Sequence, residues 1–281
     1  MYLIIGSNGQ LGTELRNILG SRAVYADREE VDITQREDTL NFVSLLQPRY
    51  IINCAAYTAV DKAESDEAAA YAVNAVGAEN LALAAKACGA AFLQVSTDYV
   101  YDGRACTPYV ETEAPCPQNA YGRTKLAGEQ MALAAGGTVA IVRTAWLYSP
   151  YGNNFVKTMQ RLGRERDSLN VICDQVGTPT AARDLAEMLV YMAPRLEKGS
   201  QEIYQFTNEG VASWYDFAVA VMEISGIPCK VNPIPESQYP TPAVRPSYSV
   251  LSKEKIKTKF GREIPYWRNS LKECLCLLAA K

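Results

Sequence analysis

Short apolar runs alternate with longer stretches of helical spacing through the first half of the chain. Tyr2 to Ile5, Ala23 to Ala26, Tyr50 to Cys54, Ala91 to Val95 and Val139 to Arg143 are rich in Ile, Val, Leu and Tyr and nearly free of charge. Such runs, without polar alternation, predict strands buried on both faces. Between them, Leu11 to Leu19, Glu37 to Leu46, Ala68 to Ala87 and Ala120 to Leu133 combine apolar residues three and four apart with strong helix formers, which predicts helices. This alternation gives an α/β fold, a Rossmann-like doubly wound parallel sheet with right-handed crossovers.

Beyond Trp146 the regularity breaks. Tyr148 to Asn154 reads as a loop, Phe155 to Arg164 as a helix, and a strand and turn follow. Arg183 to Leu196 is a helix after Thr178-Pro179-Thr180, and Glu202 to Thr207 is one more sheet strand. From Val211 the composition shifts: prolines at 228, 233, 235, 240, 242 and 246 predict an irregular connection rather than another βα unit, and Trp267 to Leu278 an amphipathic helix. The expected division places residues 1–147 and 178–208 in the sheet domain and residues 148–177 and 209–281 in a smaller α/β C-terminal domain.

Composition narrows the chemistry. Of 281 residues, 48% are apolar and 21% charged, and the formal net charge is -3 without a basic run. Nucleic acid is therefore not the expected partner, and a small molecule is. No apolar stretch reaches membrane-spanning length and no signal peptide is recognisable, so the expectation is a cytoplasmic protein. The eight Cys include no C-x-x-C pair, which predicts free thiols in a reducing compartment and no metal ribbon. There is no His. That zero removes Ser-His-Asp and Cys-His systems, imidazole metal sites and imidazole proton transfer, leaving carboxylates, Lys, Cys and the 17 Tyr.

Two local patterns carry chemistry. Gly6-Ser7-Asn8-Gly9-Gln10-Leu11-Gly12 sits between a predicted strand and a predicted helix. Gly6 can make the tight turn, Gly9 can let backbone N–H groups approach a pyrophosphate, and Gly12 can bring the helix close to the strand. Asp27, just after the second strand, can accept hydrogen bonds from an adenosine ribose, while the adjacent Arg28 can pair with a 2′-phosphate; the pair leaves NAD and NADP both open. Asp32 and Ile33 fall where an adenine could lie. The second pattern is Tyr121-Gly-Arg-Thr-Lys125, a phenol and an ammonium at i and i+4 of one helix. A cation at that spacing can stabilise phenolate and bring the phenol toward a working pKa. Thr97, or Ser96 beside it, ends a buried strand one helix upstream and can hold a carbonyl oxygen while Tyr121 delivers a proton.

These blocks, together with Asn53-Cys-Ala-Ala-Tyr-Thr-Ala-Val-Asp-Lys-Ala-Glu64, Val73-Asn-Ala75, Ser96-Thr-Asp-Tyr-Val-Tyr-Asp-Gly103, Arg143-Thr-Ala-Trp146 and Arg245-Pro246, resemble the extended short-chain dehydrogenase/reductase superfamily. Within it they resemble the dTDP-4-dehydrorhamnose reductase family over nearly the whole chain. The resemblance implies an oxidoreductase that reduces the 4-keto group of dTDP-4-dehydro-L-rhamnose with NADPH or NADH, the last step of dTDP-rhamnose biosynthesis. It implies Tyr121 as general acid, Lys125 on the nicotinamide ribose and Thr97 on the reacting oxygen. Ala55, Ala56 and Tyr57 are implied to line the cofactor. Val60, Asp98, Tyr99 and Trp146 are implied to flank the sugar, and Asn153 and Arg245 to hold the nucleotide end. Residues 1–147 and 178–208 would then bind the dinucleotide and the smaller domain the nucleotide sugar.

The family's R-R-P-x-N-S block is Val244-Arg245-Pro246-Ser-Tyr248-Ser249 here, and its A-A-H-T histidine is Tyr57. The resemblance leaves a monomer or homodimer open, and the Mg2+ that some relatives hold at a dimer interface finds no support in Glu187, Glu236 or Glu254. Two alternatives stand beside it: another nucleotide-sugar reductase or epimerase of the superfamily, and a non-catalytic regulatory subunit of a methionine adenosyltransferase.

Overall fold

A computed structural model describes residues 1–280. Its centre is a six-stranded parallel sheet of β1 (Tyr2–Ile5), β2 (Ala23–Ala26), β3 (Tyr50–Asn53), β4 (Ala91–Thr97), β5 (Thr138–Thr144) and β6 (Gln201–Gln205). The spatial order is β6-β5-β4-β3-β1-β2. Tyr2 stands opposite both Ala23 and Tyr50, Tyr50 opposite Ala91, and Ala91 opposite Thr138, so the inner strands start flush. β4 and β5 run further and end with Thr97 paired to Thr144.

Period-two side-chain direction turns these apolar strands into two cores. Leu3, Ile5, Ile51, Phe92, Val139 and Ile141 pack with helices Arg36–Leu46, Gly77–Cys88 and Ala120–Ala135. Ile4, Ile52, Leu93, Ala140 and Val142 point the other way, toward helices Gln10–Leu19 and Ala182–Met192. Each fully buried Leu or Ile contributes about 2 kcal/mol of transfer free energy, so a charge at Leu3 or Ile4 would break the covered sheet on one face. The result is the doubly wound α/β fold.

A third core lies beyond the sheet. Tyr148, Val156, Phe217, Val221, Trp267 and Leu271 join helices Phe155–Glu165, Trp214–Ser225 and Trp267–Ala279. Helix Trp214–Ser225 falls in the stretch expected to be irregular. Its signals were local: Ser213 and Asp216 form a reciprocal capping box, and Gly226 ends the helix at φ 63°. The proline-rich stretch also holds a strand, Lys230–Ile234, paired in parallel with Ser168–Ile172. Pro233 is tolerated because this is a two-stranded sheet, where each strand has a free edge. Helix Glu254–Phe260, also unpredicted, returns to the main sheet, where Ile256 and Phe260 join Tyr204 and Phe206. The predicted helix over residues 68–87 carries a π turn at Ala72–Val76. No helix among the described residues is long and apolar enough to cross a membrane.

Candidate active site

The strand order reverses at β1, with β2 on one side and β3 on the other. Open α/β sheets bind ligands at such a switch point, outside the carboxyl ends of the strands. A cleft of about 980 Å3 opens there, lined by Gly6 after β1, Asp27 after β2, Cys54 after β3, Thr97 at the end of β4 and Thr144 at the end of β5.

The glycine loop divides into structural and open positions. Gly6 has φ 75°, and a Cβ there would lie 2.5 Å from the Ala55 nitrogen. A Cβ on Gly12 would collide with the Gly6 carbonyl and come within 2.5 Å of Ser7 Cα. Both glycines permit backbone contacts that no other residue allows. At Gly9 the nearest atom to a Cβ is Gly6 O at 3.4 Å, an ordinary contact; this turn of the loop faces the cleft. The loop presents the N-terminus of helix Gln10–Leu19, whose first turn carries no acidic residue, toward the space where a pyrophosphate would sit. These residues fit a dinucleotide.

Asp27 serves the backbone. Its Oδ2 accepts the Asn8 N–H at 3.0 Å and its Oδ1 the Arg28 N–H at 2.9 Å. The Arg28 side chain is 87% exposed and reaches Asp32 only at 3.9 Å. Arg16, from the first helix, lies over the Tyr25 ring and donates to Ser7 Oγ at 3.2 Å. Asn8 itself is outside the cleft lining, whereas Gln10, Leu11, Asp32, Ile33, Ala55, Ala56 and Tyr57 are in it.

At the other end of the cleft are Val60, Thr97, Asp98, Tyr99, Tyr121, Lys125, Trp146 and Asn153. Asn119 caps helix Ala120–Ala135 by accepting the Gly122 N–H at 2.8 Å, and Glu64 takes the Ala120 N–H at 2.7 Å. Tyr121 thus sits in the pinned first turn, edge-on to Tyr99 with ring centroids 5.6 Å apart. Burial pushes the Tyr121 phenol up to about 12; the neighbouring Thr97 hydroxyl works against this and the Asp98 carboxylate adds to it. Burial also pushes Lys125 down to about 8, opposed by Glu129 and Cys54. The i to i+4 spacing of Tyr121 and Lys125 predicts an ammonium that lowers the phenol. In the structure desolvation dominates both groups, and Lys125 Nζ donates to Val95 O at 2.7 Å. Thr97 Oγ1 donates to Asp98 Oδ1 at 3.0 Å. Asp98 is itself pushed up to about 6 by burial, against the lowering influence of the nearby Ser249 and Thr97 hydroxyls.

Arg245 departs from its expected place. It is not part of the cleft lining; both of its terminal nitrogens engage the Asp61 carboxylate.

Trp146 lies in the left-handed backbone region at φ 48°, a conformation that costs a bulky residue about 1–2 kcal/mol. Its ring stacks on Trp214 with centroids 3.6 Å apart at 10°.

Sequence reasoning missed the supports of these residues. Glu129, one turn beyond Lys125, forms a buried ion pair with Arg143 at 2.6 Å and accepts Ser96 Oγ at 2.5 Å; Arg143 also donates to Tyr101 at 2.7 Å. The i+4 step from Lys125 was the available signal. Asn74, in the π turn, accepts the Tyr57 N–H at 2.9 Å and donates to Thr124 Oγ1 at 3.1 Å, tying the loop after β3 to the helix of Tyr121. π turns recur at functional sites.

Residues 1–279 match the family described as RmlD substrate binding domain. The chain belongs to this family. Within the range of its relatives, dTDP-4-dehydrorhamnose reductase of Burkholderia thailandensis is 40% identical over 289 residues, covering 97% of each chain. The crystal structure of a dTDP-4-dehydrorhamnose reductase from Clostridium acetobutylicum superposes with a TM-score of 0.94 at 43% identity, over 99% of both chains. That of a dTDP-4-dehydrorhamnose reductase from Bacillus anthracis in complex with NADP has the same TM-score of 0.94 at 36% identity, over 98% of both chains. Family membership covers both the sheet and the third core.

Proposed function

We propose that this chain is an NADPH- or NADH-dependent reductase acting on the 4-keto group of dTDP-4-dehydro-L-rhamnose, giving dTDP-L-rhamnose. The observation that carries this reading is the gathering of Tyr121, Thr97 and Lys125 in one cleft with the glycine loop. The reductases named above, with NADP bound in one of them, support the substrate and the cofactor.

The glycine loop, Asp27, Arg28, Asp32, Ile33, Ala55, Ala56 and Tyr57 would hold the dinucleotide. When bound, the reduced nicotinamide supplies the hydride. The chain supplies the proton and the alignment. A phenol raised to about 12 is fully protonated at neutral pH, so Tyr121 is a loaded donor toward the ketone oxygen. Thr97 steadies the same oxygen. Lys125, one turn along the helix, gives the positive field that favours the phenolate left behind. Val60, Asp98, Tyr99 and Trp146 would wall the sugar, and Asn153 and a released Arg245 would meet the nucleotide end.

We assign residues 1–147 and 178–208 to the dinucleotide half and residues 148–177 and 209–281 to the nucleotide-sugar half, with helix Glu254–Phe260 of the latter docking back on the sheet. A monomer or homodimer in the cytoplasm fits this role.

The test is absorbance loss of NADPH and of NADH on adding enzymatically prepared dTDP-4-dehydrorhamnose to the wild type and to Tyr121→Phe. The expected result is rapid oxidation by the wild type and a loss in kcat of about 10²–10⁴ in the variant, with cofactor affinity kept. Cofactor binding without oxidation by the wild type would sink the assignment.

A further inference from the structure

Trp146 reaches the cleft from a strained backbone, and what holds it there comes from two distant segments. Trp214 lies face to face with it, centroids 3.6 Å apart and planes 10° apart. Gly177 comes so close that a Cβ there would stand 2.8 Å from Trp146 Cε2, 2.9 Å from Cζ2 and 2.7 Å from Ser249 Oγ. The backbone of Gly177 is outside the positive-φ region, so crowding alone demands glycine at this position.

The two clamping segments are fixed to each other. Ala212 pairs with Gly177 and Ser213 with Val176 in a two-stranded antiparallel ribbon. Trp214 follows directly as the first residue of its helix, with Ser213 as N-cap. Behind Trp214 the rings continue inward: Phe155 lies 4.7 Å from Trp214 and 5.3 Å from Phe217, centroid to centroid. A column of aromatic rings therefore runs from the cleft wall into the third core, and Trp146 is its outer member. A rigid backing of this kind fixes the height of an aromatic wall, because stacked rings in a packed core do not slide without losing contact.

We infer that Trp214 is a positioning residue for the sugar end of the substrate, acting through Trp146, with Gly177 as the second jaw of the clamp. Trp214 is absent from the cleft lining, so its effect passes through the indole it stacks on. The inference rests on the proposed reductase reading and deepens it: the backing that Trp214 and Gly177 give Trp146 sets how well the sugar packs on that wall.

The experiment compares wild type, Trp214→Leu, Trp214→Phe and Gly177→Ala. Steady-state constants are measured with dTDP-4-dehydrorhamnose and NADPH, and far-ultraviolet circular dichroism follows the exciton couplet of the stacked indoles. Trp214→Leu is expected to abolish the couplet and raise KM for the keto sugar by roughly tenfold or more, with kcat and the NADPH KM changed by less than about threefold. Trp214→Phe, which keeps a stacking ring, should recover most of the KM. Gly177→Ala, which disturbs the clamp by one methyl group, should raise the same KM. Loss of the couplet with an unchanged sugar KM overturns the inference and leaves the reductase reading standing. Wild type that binds NADPH but does not turn over the keto sugar overturns both. If Trp214→Leu does not fold, the KM of Gly177→Ala decides.

Discussion

Arg245 grips Asp61 with two parallel hydrogen bonds, Nη1 to Oδ1 at 3.0 Å and Nη2 to Oδ2 at 2.8 Å, although 184 residues separate them. The same Oδ1 accepts the Ala243 N–H at 3.2 Å, and Asn119 donates to Val244 O at 2.8 Å. The segment carrying Arg245 is thereby strapped to the T-A-V-D-K-A-E block and to the cap of the Tyr121 helix. Asp61→Asn should raise the hydrogen-exchange rate of the Ala243 amide. Its cost in global stability should be about 1 kcal/mol or less, because the pair is partly solvent-exposed. Unchanged exchange would show that the strap is held by something else.

Asp98 gives a pH prediction with a definite sign. Its folded pKa is raised to about 6 from 3.8, so the folded state binds the proton more tightly than the unfolded chain. Protonation therefore stabilises the fold as pH drops from about 6 toward 3.8, and the buried charge costs stability above that window, by up to roughly 3 kcal/mol. Asp98→Asn should raise Tm at pH 8, and the gain over wild type should shrink as pH falls toward 4. Calorimetry across this range checks it, and a gain independent of pH would remove Asp98 as the cause.

The glycine loop separates affinity from stability. Gly6→Ala places a methyl group against the Ala55 backbone at positive φ and should destabilise by about 2 kcal/mol or more. Gly9→Ala meets only Gly6 O at 3.4 Å and should change stability by less than about 1 kcal/mol. NADPH affinity should nevertheless fall at least about tenfold in Gly9→Ala, since backbone approach to the pyrophosphate is what the methyl group obstructs. Thermal melts paired with calorimetric titration distinguish the two substitutions.

Arg28 should rank the cofactors. With both Asp27 oxygens accepting backbone N–H groups and Arg28 exposed, the guanidinium is the group available for a 2′-phosphate. Arg28→Ala should raise KM for NADPH by about tenfold while moving that for NADH by less than about twofold. Equal changes for both cofactors would mean that Arg28 does not contact the 2′ position.

Removing one partner of the Glu129–Arg143 pair should be severe. Glu129→Gln leaves a buried guanidinium without its counter-charge and should cost about 3–5 kcal/mol. It should also shift the alkaline limb of kcat/KM to lower pH, because Glu129 is the main influence opposing the burial that depresses Lys125 to about 8. Denaturant melts and a pH–rate profile test the two effects separately.

The sheet and most cleft residues were legible because each rests on a short-range pattern: apolar runs, glycines spaced by three, an i to i+4 pair. Helix Trp214–Ser225 was less legible: its capping box is local, but the prolines that follow it signal chain breaks, whereas a two-stranded edge absorbs Pro233 without losing its pairing. The Arg245–Asp61 pair and the Trp146–Trp214 stack were not legible. Each is a long-range contact between residues whose types fit many environments, and only the folded chain decides which partner wins. The phenol of Tyr121 shows the same limit: spacing finds its ammonium neighbour, while burial, a property of the whole packing, sets the direction of its shift.

The position of β6 has a consequence for synthesis. By residue 145 the emerging chain already carries the glycine loop, Thr97, Tyr121 and Lys125, yet β5 has no outer neighbour until Gln201–Gln205 arrives to pair with it. Until then β5, an apolar strand, presents an unpaired edge, the feature that templates intermolecular pairing. The reactive half of this protein is therefore not a portable module: a fragment ending near Ala145 would contain every proposed reacting group and be prone to aggregate through β5.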